Sequence, residues 1–279
     1  MRITQVCAAQ RAQAPGGRIV KIAVTGKGGV GKTTMTALLA YAYADRGYRV
    51  LAIDADPSPC LGAALGFPPE LLERLTPIAR MEQLIAERTG ARPGEIGGYF
   101  KLNPRVDDLP DQFSVSHRGI RLLELGAVEM GGSGCICPES AVLRALITHI
   151  LLRRDELVLL DLYAGVEHLG RATADAVDAM LIVAEPTARS LATAAQIKSL
   201  AQDLKLSALY LVGSKVQTPE DQAFIERHSP GLAVLGHLPA DPMVREADRQ
   251  GVAVYDLAPD LAAGAQALAA NLEQLKLTA

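Results

Sequence analysis

Residues 19–33, Ile-Val-Lys-Ile-Ala-Val-Thr-Gly-Lys-Gly-Gly-Val-Gly-Lys-Thr, decide the fold. An apolar run typical of a buried strand enters a glycine-rich turn, and residues 34–47 then follow with helical spacing. Glycines let consecutive backbone N–H groups turn inward around a phosphate, and the N-terminus of the next helix adds partial positive charge. The spacing G-x-x-x-x-G-K-T between strand and helix therefore predicts a phosphate-binding loop, the alternative being a glycine turn without a ligand.

The residue types within this loop predict separate roles. Lys32 is expected to reach the β- and γ-phosphates of a nucleotide, and the Thr33 hydroxyl is expected to ligate Mg²⁺. The predicted nucleotide contacts are Gly26, Lys27, Gly28, Gly29, Val30, Gly31, Lys32, Thr33 and Thr34.

Further apolar runs occur at 49–56, 156–162, 179–185, 208–214 and 232–238, with helical segments between them. This alternation predicts an α/β fold: a single domain with a mostly parallel, twisted sheet that helices cover on both faces. Residues 20–279 are expected to form this domain. Residues 1–19 have no periodicity and are expected to be a loosely held, flexible extension, while 68–134 is the least regular stretch and contains one more strand near 119–126.

Acidic residues follow two of these strands. Asp161 ends the run 156–161 and precedes Ala164-Gly165, the arrangement expected where a strand leads into a switch whose backbone, at Gly165, approaches the γ-phosphate. Asp54 and Asp56 end the second strand and lie on one face if that segment is extended. Either could lie nearest the Mg²⁺. We predict that Asp56, together with Thr33 and Asp161, binds Mg²⁺. The alternative is that Asp56 only caps a turn.

Cys135 and Cys137 form a C-x-C pair after Gly-Gly-Ser-Gly, which supplies the turn that joint metal binding requires. Pro138 suits the first position of a helix, so Cys137 is the expected N-cap, with a thiol pKa lowered by the helix N-terminus. Two sulfurs leave a tetrahedral site incomplete, and a twofold dimer would supply two more. Such a site suits Zn²⁺, Ni²⁺ or an iron–sulfur cluster, and the alternative is a pair with no metal.

Composition excludes several classes of protein. Apolar residues make up 49% and charged residues 21%, as in globular domains. Lys and Arg total 28 against 31 Asp and Glu, for a net charge of −3 without a basic cluster, so no nucleic-acid partner is expected. No run of 18 apolar residues occurs, so no membrane insertion is expected, and the four cysteines are too few for a disulfide scaffold. We therefore expect a cytoplasmic protein with free thiols.

The stretch GKGGVGKTT resembles the deviant Walker A motif of the MinD/ParA-type dimeric ATPases, which include the nitrogenase iron protein. With IDADPSPCLG, LNPRVDD, GGSGCICPES, DLYAGVEHLGRATADAVD and AEPTARS in this order, the chain is similar over residues 20–275 to the CooC-type nickel-insertion ATPases. The resemblance implies catalytic roles for Lys27, which crosses the dimer interface to the partner's nucleotide, for Lys32, and for Asp56, which positions the attacking water.

The resemblance also implies a function. It implies ATP as the nucleotide, an ATP-dependent homodimer, Ni²⁺ (or Zn²⁺) held by Cys135 and Cys137, and hydrolysis coupled to delivery of nickel to apo carbon monoxide dehydrogenase. Ser214-Lys215 stands where family members carry Asn-Lys, and this pair and Pro239 are the expected base contacts.

Two other functions compete with this one. An ATP-driven electron carrier would hold a [4Fe–4S] cluster on the four thiolates, but such reductases take their cluster cysteines from two well-separated positions per subunit. A MinD/ParA-type positioning ATPase would leave the C-x-C pair unexplained and lacks a basic surface here.

Overall fold

The computed structural model of the chain describes residues 21–92, 99–126, 137–153, 156–163 and 177–277. Within them, eight strands form one sheet in the order β3-β4-β2-β5-β1-β6-β7-β8, and every neighbouring pair is parallel except β3 with β4. The strands are β1 Lys21–Gly26, β2 Val50–Ala55, β3 Val115–His117, β4 Ile120–Glu124, β5 Leu157–Leu162, β6 Ala179–Ala184, β7 Leu209–Val216 and β8 Ala233–Pro239. The predicted α/β fold and mostly parallel sheet are confirmed.

Helices cover both faces of this sheet. Leu38 and Leu268 belong to one apolar layer, whereas Ile85, Leu146 and Ile197 belong to the layer on the other face. A parallel sheet buried on both sides explains why its strands are near-continuous apolar runs. The described helices are α1 Lys32–Ala44, α2 Leu61–Ala64, α3 Pro69–Leu72, α4 Glu82–Thr89, α5 Leu109–Phe113, α6 Pro138–Arg153, α7 Ala188–Asp203, α8 Pro219–His228, α9 Met243–Gln250, α10 Val254–Leu257 and α11 Pro259–Leu277, with a 3₁₀ turn at Ile78–Arg80.

Strand β4 is the strand predicted near 119–126, whereas β3 and the hairpin that it forms with β4 were not predicted. Its two-residue turn, Arg118-Gly119, has positive φ at both positions (49° and 81°), as a tight type I′ hairpin turn requires. This hairpin forms one edge of the sheet, away from the glycine-rich loop.

The seven parallel strands, β1, β2 and β4 to β8, all end at the same edge of the sheet. Register places Asp161 of β5 opposite Val24 of β1 on one side and opposite Asp54 of β2 on the other, while Gly26 pairs with Val183 of β6. This edge therefore collects the loop and the acidic residues. In the part of the chain that the structure describes, no helix is long and apolar enough to cross a membrane.

Candidate functional site

The glycine-rich loop has a backbone that only glycine can adopt at its first position. Gly26 has φ 152°, and a Cβ there would lie 2.4 Å from the carbonyl oxygen of Val183. Gly29 and Gly31 also have positive φ, 80° and 96°, and α1 begins directly after Gly31. The loop thus turns sharply from β1 into the N-terminus of α1, the geometry expected of a phosphate-binding loop.

The two lysines of the loop differ in their surroundings. Lys32 is buried, and its ammonium donates to the carbonyl oxygen of Lys27 over 3.3 Å. The same carbonyl accepts from the N–H of Val30 over 3.4 Å. Both hydrogen bonds are long, so phosphate oxygens can replace this acceptor at small cost. The side chain of Lys27 is exposed at the surface.

Asp161 is the most perturbed titratable group of the site. It is 2% exposed, and neither carboxylate oxygen has a hydrogen-bond partner among the described residues. Burial raises its pKa to about 7, and the nearby Asp54 carboxylate adds to this rise, whereas Thr33 and Lys32 act in the opposite direction. A buried carboxylate beside a threonine hydroxyl is a donor set that fits Mg²⁺.

Asp54, near the end of β2, and Asp56, directly after β2, have different surroundings. Asp54 is fully buried; its Oδ1 accepts from the N–H of Asp56, and its Oδ2 accepts from the N–H groups of Cys60 and Leu61, at 2.9–3.0 Å. Asp54 thus holds the turn that carries Asp56. Asp56 itself is half-buried, and its Oδ1 accepts from the N–H of Ser58 at 2.8 Å, so it also caps a turn.

Ser214, Lys215 and Pro239 meet the loop at one cavity. A cavity of about 540 Å³ lies between the loop and the ends of β7 and β8. Its lining includes Val30, Gly31, Thr34, Ser214, Lys215, Pro239, Ala240 and Asp241. Gln217 and Arg245 also line the cavity and were not among the predicted site residues. Gln217 follows the end of β7 directly, so its position beyond a strand end was the signal that could have identified it.

The two polar side chains from β7 contact the loop backbone. The Ser214 hydroxyl donates to the carbonyl oxygen of Val30 at 2.7 Å, and the Lys215 ammonium donates to that of Gly29 at 2.5 Å. Lys215 also pairs with Glu185, the residue after β6, at 3.3 Å. Glu185 was not among the predicted site residues.

Cys137 lies directly before α6, and its carbonyl oxygen accepts from the N–H of Ala141, as an N-cap carbonyl does. Its half-buried sulfur lies 3.0 Å from the Ser140 hydroxyl. The expected lowering of its pKa is wrong. Burial raises the pKa of the Cys137 thiol, and this effect outweighs the hydrogen bonds from Ser140, which lower the pKa. Glu139 raises the pKa further.

Two predicted site residues, Cys135 and Gly165, lie outside the described residues, as does the extension 1–19. Across the described ranges, no group of three or more His, Cys, Asp and Glu side chains is arranged as a metal site.

Comparison with known proteins agrees with this geometry. Residues 21–255 match the model of the CobQ/CobB/MinD/ParA nucleotide-binding domain. The chain is 50% identical over 253 residues, 91% of its length and 96% of the relative's, to the carbon monoxide dehydrogenase accessory protein CooC of Rhodospirillum rubrum. It is 44% identical over 83% of its length to an ATP-binding protein of Methanocaldococcus jannaschii, of which it covers 90%.

Among solved structures, the chain shares its fold with the Mg-ADP complex of the septum site-determining protein MinD from Pyrococcus horikoshii. The TM-score is 0.65 at 20% identity, over 93% of this chain and 98% of that one. The chain therefore belongs to the CobQ/CobB/MinD/ParA nucleotide-binding family, in which it is a CooC-type ATPase.

Proposed function

We propose that this protein is an ATP-hydrolysing, homodimeric metallochaperone that binds nickel through Cys135 and Cys137 of each subunit and delivers it to apo carbon monoxide dehydrogenase. The observation that carries the proposal is the C-x-C pair before α6, joined to 50% identity with an accessory protein of that enzyme. Each chain offers two thiols there, so a four-thiolate site needs two chains. We expect the protein to bind and deliver nickel in the cytoplasm, where thiols stay reduced.

The nucleotide site is proposed to act through residues at the carboxyl edge of the sheet. Lys32 and the loop N–H groups bind the phosphates, and Thr33, Asp56 and Asp161 hold Mg²⁺, which the unpartnered carboxylate of Asp161 fits. Bound Mg²⁺ supplies positive charge that neutralises the β- and γ-phosphate oxygens. Lys27, exposed on the loop, reaches the partner's nucleotide in the closed dimer and adds a further positive charge there.

Asp56 is proposed to orient the attacking water. Only its Oδ1 has a hydrogen-bond partner among the described residues, so Oδ2 is available to accept a hydrogen bond from water. Water then attacks the γ-phosphorus, the bond from that phosphorus to the bridging oxygen breaks, and ADP and phosphate result. Asp54 holds the turn that places Asp56 and is a positioning residue.

Metal and nucleotide are coupled through the dimer. If both ligands bind the closed dimer more tightly than the open chain, each strengthens binding of the other by thermodynamic linkage. Hydrolysis removes the γ-phosphate, which weakens the closed state and releases the metal to its acceptor enzyme. Nickel is thus the cargo of the cycle and not a resident cofactor.

Anaerobic size-exclusion chromatography with inline mass and metal analysis tests this proposal. The reduced protein is run with and without Ni²⁺ or Zn²⁺, and with ADP or a non-hydrolysable ATP analogue. We expect a dimer with about one metal per two chains. The Cys135→Ser/Cys137→Ser variant should lose that metal and still bind nucleotide, whereas Cys60→Ser, which removes an exposed thiol after the Asp56 turn, should keep it.

Other outcomes contradict the proposal. A nucleotide-dependent dimer that carries no metal would favour a positioning ATPase. Unchanged metal content in the double variant would place the metal elsewhere, and a brown protein with broad absorption near 400 nm would favour an iron–sulfur electron carrier.

A further inference from the structure

The outward-facing backbone of the glycine-rich loop is held by two side chains from the end of β7. Ser214 donates to the carbonyl oxygen of Val30, and Lys215 donates to the carbonyl oxygen of Gly29. Glu185 lies on the far side of Lys215 and pairs with its ammonium at 3.3 Å. Two consecutive carbonyl groups of the loop are thus fixed by residues outside it.

Fixing these carbonyl groups also fixes N–H groups. In a planar trans peptide, the C=O of one residue and the N–H of the next point in opposite directions. Holding the oxygen of Gly29 toward Lys215 therefore directs the N–H of Val30 to the opposite side of the loop, and holding the oxygen of Val30 toward Ser214 does the same for Gly31. That opposite side is where inward-turned N–H groups receive a phosphate.

The backbone of β7 is distorted where it presents Lys215. Lys215 has φ 54°, unusual for a residue with a side chain, and the pairing of β7 with β8 shifts register between Gly213 and Val216. A bulge of this kind redirects a side chain, here toward the loop. Left-handed backbone is unfavourable at a lysine, and the contacts of its side chain offset that cost.

Glu185 is itself held in place. Its N–H donates to the Ser190 hydroxyl at 3.0 Å, and its carbonyl oxygen accepts from the N–H of Thr187 at 2.7 Å. Val183, two residues earlier, is the residue whose carbonyl oxygen lies against Gly26. The end of β6 therefore supports the loop at both its start and its middle.

We propose that Glu185, Ser214 and Lys215, here called the loop-supporting residues, are positioning residues for phosphate binding and do not read the base. Their polar atoms are bonded to the loop backbone or to each other. Base recognition then falls to other polar groups that line the cavity, namely Gln217, which follows β7, and Arg245 of α9. This inference rests on the proposed nucleotide site.

Calorimetric titration with Mg-ADP and Mg-GDP distinguishes support of the loop from contact with the base. Lys215→Met should weaken both nucleotides by the same factor, about tenfold, because a charge-assisted hydrogen bond to the loop is lost whatever the base. Glu185→Gln should weaken both about threefold. Lys205→Met is the matched control, since Lys205 is another exposed lysine with positive φ (65°), and it should change neither affinity.

The ratio of the two affinities decides the outcome. A changed ADP-to-GDP ratio in Lys215→Met would show a base contact and overturn the inference, as would affinities within twofold of wild type. Lys215→Arg, which can still reach Gly29 and Glu185, should recover most of the lost affinity; failure to recover would also overturn it, and this variant serves if Lys215→Met does not fold. Wild-type protein that binds neither nucleotide would instead contradict the proposed function.

Discussion

The nucleotide edge of the sheet and the cysteine turn before α6 differ in how much of each site a single chain holds in place. At the nucleotide edge, strand ends contact both the glycine-rich loop and the turn that carries Asp56. At the cysteine turn, the structure describes the sulfur of Cys137, which lies 3.0 Å from the Ser140 hydroxyl, and burial raises the pKa of this thiol. Such a thiol favours its neutral form at pH 7.

This difference indicates how the affinity for nucleotide and the affinity for metal arise. A loop already held in its binding conformation loses little entropy when phosphate arrives, so one chain can bind nucleotide. Neutral thiols must lose protons to bind a metal, and affinity then depends on the full set of thiolates. The comparison therefore predicts that nucleotide affinity belongs to the monomer and metal affinity to the dimer.

Gly26→Ala should have the largest effect at the nucleotide edge. The new Cβ would lie 2.4 Å from the Val183 carbonyl oxygen, so the loop must move. We expect ADP affinity to fall by about a hundredfold or more and the free energy of unfolding by about 3 kcal/mol. Titration calorimetry and urea denaturation measure both.

Gly47→Ala is the control for backbone strain alone. Gly47 also has positive φ (82°), but nothing lies within 4 Å of its added Cβ. It should cost about 1 kcal/mol of stability and leave ADP affinity unchanged. An equal loss of affinity in both variants would mean that the fit of Gly26 against β6 does not matter for binding.

Asp56→Asn should separate hydrolysis from binding. The amide keeps the size of the side chain and can still accept from the N–H of Ser58, but it is a weaker acceptor for water. We expect the steady-state hydrolysis rate to fall on the order of a hundredfold while ADP affinity stays within about threefold. A rate near that of wild type would assign Asp56 to turn capping alone.

Asp161→Asn should change the pH dependence of stability. The native pKa is about 7, against about 4 in an unfolded chain, so between these values the native state holds a proton that the unfolded state has released. The free energy of unfolding of the nucleotide-free protein should therefore fall as pH rises from about 4 to about 7 and stay low above that.

The variant removes this ionisation. At pH 8 we expect Asp161→Asn to raise the free energy of unfolding by about 2 kcal/mol and to flatten its change between pH 5 and 7, while Mg²⁺-dependent hydrolysis is lost. Urea denaturation at four pH values measures this, with the exposed Asp203→Asn as control. Parallel curves for Asp161→Asn and wild type would contradict the assignment.

Ser140→Ala should have the smallest effect and tests the cysteine side of the comparison. It removes the hydroxyl 3.0 Å from the Cys137 sulfur. If one chain does not organise this site, Zn²⁺ affinity measured by competition with a chelator should change less than about threefold. A loss above tenfold would show that the turn is organised within a single chain, as the nucleotide loop is.

Several elements were predictable because their signals are local. The loop 26–33, the parallel strands and α6 after Pro138 follow from glycine spacing, apolar periodicity and helix-start residues. Strand β4 was predicted near 119–126, but β3 and its hairpin with β4 were missed because β3 is only three residues long, although Arg118-Gly119 is a hairpin signal. The raised pKa of Cys137 was missed because burial by distant residues outweighs the local helix N-terminus.

The sequence by itself determined the fold class, the phosphate-binding loop and the family, since these depend on residue types at short spacings. Only the tertiary structure decided that Asp54 holds a turn while Asp161 keeps an unpartnered carboxylate, and that Lys215, paired with Glu185, contacts a loop that is far from both residues in the chain. The physical reason is that burial and hydrogen-bond partners arise from strand order and register, which bring together residues more than a hundred positions apart.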